Sequence, residues 1–239
     1  MNGHIVKSFE DELEALSTRI AEMGGLTEAQ LAAAVEAVAK HDTGLAERTV
    51  QEDRRIDAME HDIHNQAIRL IALRQPMAAD LRETIAAFRI ASDLERIGDL
   101  AKNMSKRALA IWPDYDMPTR LIQGMTRMGQ LALAQLNKVL DAYANRDAAA
   151  AHAVWQSDEQ IDEMYNSVFR ELLTYMMEDP RTISSCTHLL FMAKNLERIG
   201  DHATNIAETV RYLITGEQIV DERPKGDKTS IMQIHSEDR

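Results

Sequence analysis

A single cysteine, Cys186, stands in the 239 residues, so no intrachain disulfide can form and no thiolate zinc site can be assembled. A reducing compartment, the cytoplasm, is the expected location. Five prolines and 5% aromatic residues are too few for a turn-rich β sandwich. Positive charge is short as well: 27 Lys+Arg face 39 Asp+Glu, for a net charge of −12, and no basic run occurs. Nucleic acid is therefore not an expected partner, because affinity for it depends on cations that neutralise phosphates. The longest apolar stretch, LAAAVEAVA from Leu31, is short and interrupted by Glu36. The chain is expected neither to span a membrane nor to be exported. Catalytic signatures are missing too: there is no Ser/His/Asp set, phosphate-binding glycine loop, His-Glu-x-x-His or dinucleotide fingerprint, and no Glu-x-x-His pair of the di-iron type. The expectation is a protein that is not an enzyme.

What is present favours helix. Ala, Leu, Glu and Met recur, 45% of residues are hydrophobic, and apolar positions return every three or four residues. The pattern predicts an all-α chain with helices over about 5–39, 43–73, 77–111, 117–144, 147–178 and 182–214. Asp42 or Thr43 is a candidate cap for the second helix and Asp147 for the fifth. Gln75-Pro76 and Asp179-Pro180 stop the helices before them, and WPDYDMP, from Trp112 to Pro118, reads as a linker. Gly24-Gly25 is expected to bend or interrupt the first helix. Met176, Met177 and Met192 read as core filler.

The chain also repeats itself. DLERIGDLAKN at 93–103 returns as NLERIGDHATN at 195–205, an offset of 102, and the acids of Asp53-x-x-x-Asp57 return as Asp158-x-x-x-Asp162, an offset of 105. Two three-helix units follow, residues 1–112 and 117–214. Each is expected to be an up-down-up antiparallel bundle, and a polar, disordered tail is expected over 215–239.

Each half carries two acidic pairs at helical spacing: Asp53/Asp57 and Glu95/Asp99, then Asp158/Asp162 and Glu197/Asp201. Residues four apart share a helix face, where like charges repel. Both pairs of a half lie about 30 Å from the turn that joins their helices, hence at one level of an antiparallel hairpin. They flank the apolar stripe, which predicts a carboxylate patch between two helices, partly open to water. Carboxylate clusters suit hard or borderline cations such as Mg, Ca, Mn or Fe, with Zn an alternative, and four oxygen donors can hold more than one ion. Asn103, Asn205, His64 and His202 are optional further ligands or supporting groups. Arg96 and Arg198 are expected to pair with neighbouring acids, and Gly98 and Gly200 to permit close helix approach. The bland alternative for any one pair is a solvated face. A carboxylate-bridged metalloenzyme and a purely structural scaffold also remain open.

LERIGD in both halves, RQPMAADLR at 74–82 and the two three-helix repeats resemble the PhoU family of phosphate-transport accessory proteins, over about residues 5–214. The resemblance implies metal-binding acidic motifs, with iron or zinc in some members, at Asp53, Asp57, Glu95, Asp99, Asp158, Asp162, Glu197 and Asp201. It implies a negative regulator of the phosphate-starvation response and of phosphate uptake. The partners implied are a phosphate ABC transporter ATPase and a sensor histidine kinase, reached by peripheral contact with membrane complexes, with a homodimer as a further expectation. The second counterpart of RQPMAADLR has diverged to EDPRTISSC.

Overall fold

The computed structural model describes residues 2–112 and 119–219, with side chains from Phe9 onward. The linker expectation beyond Trp112 and the tail expectation beyond residue 219 lie outside the described residues. All regular structure among these is helical: α1 Asn2–Lys40, α2 Thr43–Arg74, α3 Ala78–Ile111, α4 Thr119–Ala144, α5 Ala148–Gln156, α6 Glu159–Glu178, a 3-10 turn Pro180–Thr182, and α7 Ile183–Thr215.

The helix ends have local causes. The Asp42 carboxylate accepts the Leu45 N–H at 2.8 Å and opens α2, and Asp147 accepts the Ala149 and Ala150 N–H groups at 2.9 Å and opens α5. Gln75 closes α2 in the left-handed region at φ 49°. Asp179 accepts the Arg181 N–H with Pro180 at the start of the 3-10 turn.

Three expectations need correction. The helix expected over 147–178 is two helices, broken at Ser157-Asp158. The Ser157 N–H and hydroxyl both donate to the Val154 carbonyl, at 3.0 and 2.8 Å, and the next two turn hydrogen bonds also close over three residues. This local competition tightens the backbone and ends the α-helical ladder. At Gly24-Gly25, by contrast, α1 runs on without a break. Gly24 is there for proximity: a Cβ would lie 2.6 Å from Leu140 Cδ2. Of the methionines, Met192 is core, but Met177 is 77% exposed.

Four helices, α1, α3, α4 and α7, form the inner body; α2 covers α1 and α3, and the α5–α6 segment covers α4 and α7. One hydrophobic cluster runs through all of them, from Leu16 and Ile20 through Leu94 and Ile97 to Leu196 and Ile199. Two antiparallel seams join the halves. Along α1 and α4, Gly24 meets Leu140 and Val35 meets Gly129. Along α3 and α7, Arg82 meets Gly216, Asp93 bonds His202 at 2.9 Å, and the Arg107 guanidinium lies 4.3 Å over Phe191. These pairings put Gly98 and Gly200 at the middle of the second seam and Gln30 and Gln135 at the middle of the first, so the duplicated chain folds with approximate two-fold symmetry. A Cβ at Gly98 would stand 3.0 Å from Gln30 Oε1, and one at Gly200 would stand 2.8 Å from Ile161 Cδ1 and 3.2 Å from Gln135 Oε1. Both glycines permit close helix approach.

Candidate metal centre

The two acidic sets flank the middle of the α3–α7 seam, one on each side. In the first, α2 supplies Asp53 and Asp57 and α3 supplies Glu95 and Asp99. Oxygen atoms of Asp53, Asp57 and Asp99 lie within 4.8 Å of one another, a spacing able to hold one metal ion, and among the described residues this is the group that meets that spacing. Glu95 stands beside this trio without joining it. Desolvation raises its carboxyl pKa, with Asp99, Glu60 and Asp57 adding repulsion. Asp57 is raised for the same reasons: desolvation first, then Asp53. Asp53 is buried, Asp57 exposed, and Glu95 and Asp99 are half-buried.

A group not singled out from sequence sits at the centre of this site. The Lys102 ammonium donates to Asp53 Oδ2 and to Asp99 Oδ1, tying α2 to α3. Burial lowers the lysine pKa, but the two carboxylate hydrogen bonds outweigh it and raise the net value. The other Asp53 oxygen accepts from Gln30 Nε2 at 3.1 Å. Comparing the repeats position by position would have exposed Lys102, because the matching residue 102 positions on is Thr204.

The second set is more enclosed than the predicted half-open patch: Asp158, Asp162 and Glu197 are buried and Asp201 half-buried. Asp158 lies at the α5–α6 break, where its Oδ1 accepts from Thr204 Oγ1 at 2.9 Å, and Gln135 Nε2 donates to that hydroxyl at 3.2 Å. Lys194 Nζ donates to Glu197 Oε1 at 2.9 Å from a partly exposed position, while Glu197 Oε2 is buried without a hydrogen-bond partner. Desolvation raises the Glu197 pKa; the Lys194 hydrogen bond opposes this, and Asp201 and Asp162 add to it.

The optional ligands turn elsewhere. His64 stacks on Phe88 with ring centroids 3.7 Å apart, and its Nε2 lies 3.2 Å from Ser92 Oγ. His202 and Asn205 both reach Asp93 across the seam, at 2.9 and 3.4 Å, so they join the repeats. Asn103 is exposed. Arg96 pairs with Glu95 at 3.4 Å and with Asp99 at 3.8 Å.

All-oxygen donor sets, one with three carboxylates in mutual reach and one with an orphaned buried oxygen, fit a hard or borderline cation. In the first, Asp53, Asp57 and Asp99 would hold it with Glu95 adjacent. In the second, Glu197 would do so with Asp158, Asp162 and Asp201. A bound cation supplies positive charge that turns repulsion between facing helices into cross-linking.

A duplicated helical bundle with one acidic set per repeat is thus the class of protein defined by fold and site. Comparison with known proteins narrows it. The PhoU domain matches residues 20–108 and again 125–210. The chain is 52% identical over 230 residues to a phosphate-specific transport system accessory protein PhoU homolog of Caulobacter vibrioides, covering 96% of this chain and 100% of that one. Identity to the homolog of Rhizobium meliloti is 52% over 231 residues, with 97% of each chain covered. The crystal structure of PhoU from Pseudomonas aeruginosa superposes with a TM-score of 0.82 at 41% identity, covering 87% of this chain and 100% of that one. The phosphate transport system regulatory protein PhoU from Streptococcus pneumoniae gives 0.81 at 32% identity, covering 88% and 99%. The chain belongs to the PhoU family.

Proposed function

We propose that the protein is a negative regulator of the phosphate-starvation response and of phosphate uptake, working in the cytoplasm as an adaptor between a phosphate ABC transporter ATPase and a sensor histidine kinase. Family membership, carried by the two domain matches and by full-length relatives at 52% identity, is the observation on which this rests. It makes the chain a regulatory accessory protein of phosphate transport and not an enzyme. Among the described residues no helix is long and apolar enough to cross a membrane, which suits peripheral docking on membrane complexes.

The fold supports an adaptor physically. One continuous core spans both repeats, so the two halves form a single rigid body with broad helical faces. In this reading, metal ions at the two acidic sets stabilise the docking-competent arrangement by binding the folded state alone. Deleting the gene and following a phosphate-starvation reporter at high phosphate tests the regulatory role: loss of repression, restored by the intact gene, is expected, and retained repression refutes it. Elemental analysis and thermal melts of Asp53→Ala/Asp57→Ala and Glu197→Ala/Asp201→Ala test the metal role. A metal-free wild type whose melting ignores chelator and added metal overturns it.

A further inference from the structure

A cavity of about 230 Å3 opens between α1 and α2 in the first repeat, lined by residues of those two helices alone. Its walls are aliphatic: Leu26, Ala29 and Ala33 from α1, Leu45 and Ile56 from α2. The room comes from the two alanines, which stand one turn apart where longer side chains would reach toward α2. Polar groups of the floor are already engaged. Gln30 Nε2 donates to the Thr49 carbonyl at 3.4 Å and to Asp53 Oδ1 at 3.1 Å, the Thr49 hydroxyl donates to the Leu45 carbonyl at 2.8 Å, and Gln30 Oε1 lies against Gly98 of α3. Charge sits at the mouth instead. Arg48 and Arg55 share one face of α2, with Glu52 between them. Glu52 pairs with Arg55 at 3.1 Å, whereas among the described residues Arg48 has neither a hydrogen bond nor an ion pair. In a chain of net charge −12, an apolar slot rimmed by two guanidinium groups is a local exception. The duplicate has not kept it. At an offset of 105, Gln30 and Ile56 recur as Gln135 and Ile161, but Lys138 stands for Ala33, Ala153 for Arg48, Ser157 for Glu52 and Gln160 for Arg55. The packing residues are common to both halves and the mouth of the slot is not, so the slot is no by-product of the repeat.

We propose that this cavity binds a small amphipathic anion, with an unbranched aliphatic chain inside and a carboxylate or phosphate head held by Arg48 and Arg55. The lining argues against other ligands: it has no aromatic ring to stack on a nucleobase, and its floor has no unused donor to read a sugar. Groups the size of a water molecule or a methylene take up about 30 Å3 each, so the void accepts a chain of roughly eight carbons. Each buried methylene tightens binding about fourfold. The guanidinium groups fix the head at the surface and set the direction of entry. Gln30 lies under the ligand and also holds Asp53, which places the site beside the first acidic set. Binding here depends on neither the metal role nor the regulatory role proposed above.

The test is a calorimetric titration of the chelator-treated full chain with butanoate, hexanoate and octanoate, then octyl phosphate, with octylammonium and inorganic phosphate as controls. Affinity is expected to rise about fourfold per methylene up to octanoate, octyl phosphate is expected to bind as well, and both controls should be silent. The tighter of the two octyl anions identifies the head group, and either result supports the site. Arg48→Gln should weaken octanoate at least about threefold, and Ala33→Leu, which fills the slot, should abolish binding of every chain. Arg48 is exposed, so its variant keeps the test decisive even if the leucine variant folds poorly. Octanoate binding undiminished in either variant, affinity independent of chain length, equal binding of octylammonium, or no binding of either octyl anion to wild type overturns the proposal.

Discussion

The α1–α4 seam carries a prediction that a pair of alanines can decide. Gly25 and Gly129 both lie inside helices, where replacing Gly by Ala stabilises by about 1 kcal/mol through backbone entropy alone. Around Gly25 a Cβ would meet nothing within 4 Å. Around Gly129 it would stand 2.5 and 2.8 Å from the two methyl carbons of Val35, whose branched, buried side chain has one favoured rotamer in a helix and little room to retreat. Overpacking of this kind costs about 1–3 kcal/mol. Gly25→Ala should therefore gain about 1 kcal/mol, while Gly129→Ala should run from neutral to about 2 kcal/mol destabilised, the helical gain being set against the clash. For a chain of this size the two variants should differ in Tm by roughly 2–12 °C, at about 2–4 °C per kcal/mol. Urea and thermal unfolding of the two variants beside wild type measure the difference. Equal stability of the two variants would refute the reading of this seam as a close contact that demands glycine.

Removing the Asp147 cap with Asp147→Ala leaves the Ala149 and Ala150 N–H groups unpaired and should cost about 1 kcal/mol in urea unfolding, whereas Asp147→Asn should retain most of it. Acidity should act in an unusual sense on the metal-free protein. Asp57, Glu95 and Glu197 have carboxyl pKa values raised by folding, so the native state holds protons that the unfolded chain releases. Their ionisation weakens the fold as pH climbs from the unfolded carboxyl value through the raised native one, and their protonation strengthens it on the way down. Melts in chelator should show this contribution as a Tm loss with rising pH that shrinks in Asp57→Asn/Glu95→Gln; an unchanged pH slope in that variant would refute it.

Much of this architecture could be read before any coordinates. Six helical tracts, the Asp42 and Asp147 caps and the duplication all depend on short-range chemistry that the order of residues displays directly. The α5–α6 break is not legible in the residue pattern because it rests on a serine turning back on its own backbone within an otherwise good helical sequence. The acids were visible as pairs, but their inequality was not. Burial of Asp158 and Asp162 depends on how α6 settles against α7, and the Lys102 bridge depends on a side chain reaching between helices nearly fifty residues apart in sequence. His202 and Asn205 looked like spare ligands because they stand beside acids on their own helix; only the antiparallel seam reveals that Asp93 is their partner.

The reversal of direction between α3 and α7 has a geometric outcome for anything that grips this molecule. The hairpin bend at Gln75-Pro76 and its counterpart at Asp179-Pro180 project from opposite poles, separated by roughly the length of a 33-residue helix, about 50 Å. A compact domain that clasps one pole is too far away to reach the other. Two such bodies can be seated at once without colliding, joined through a strut whose midpoint is the pair of glycines.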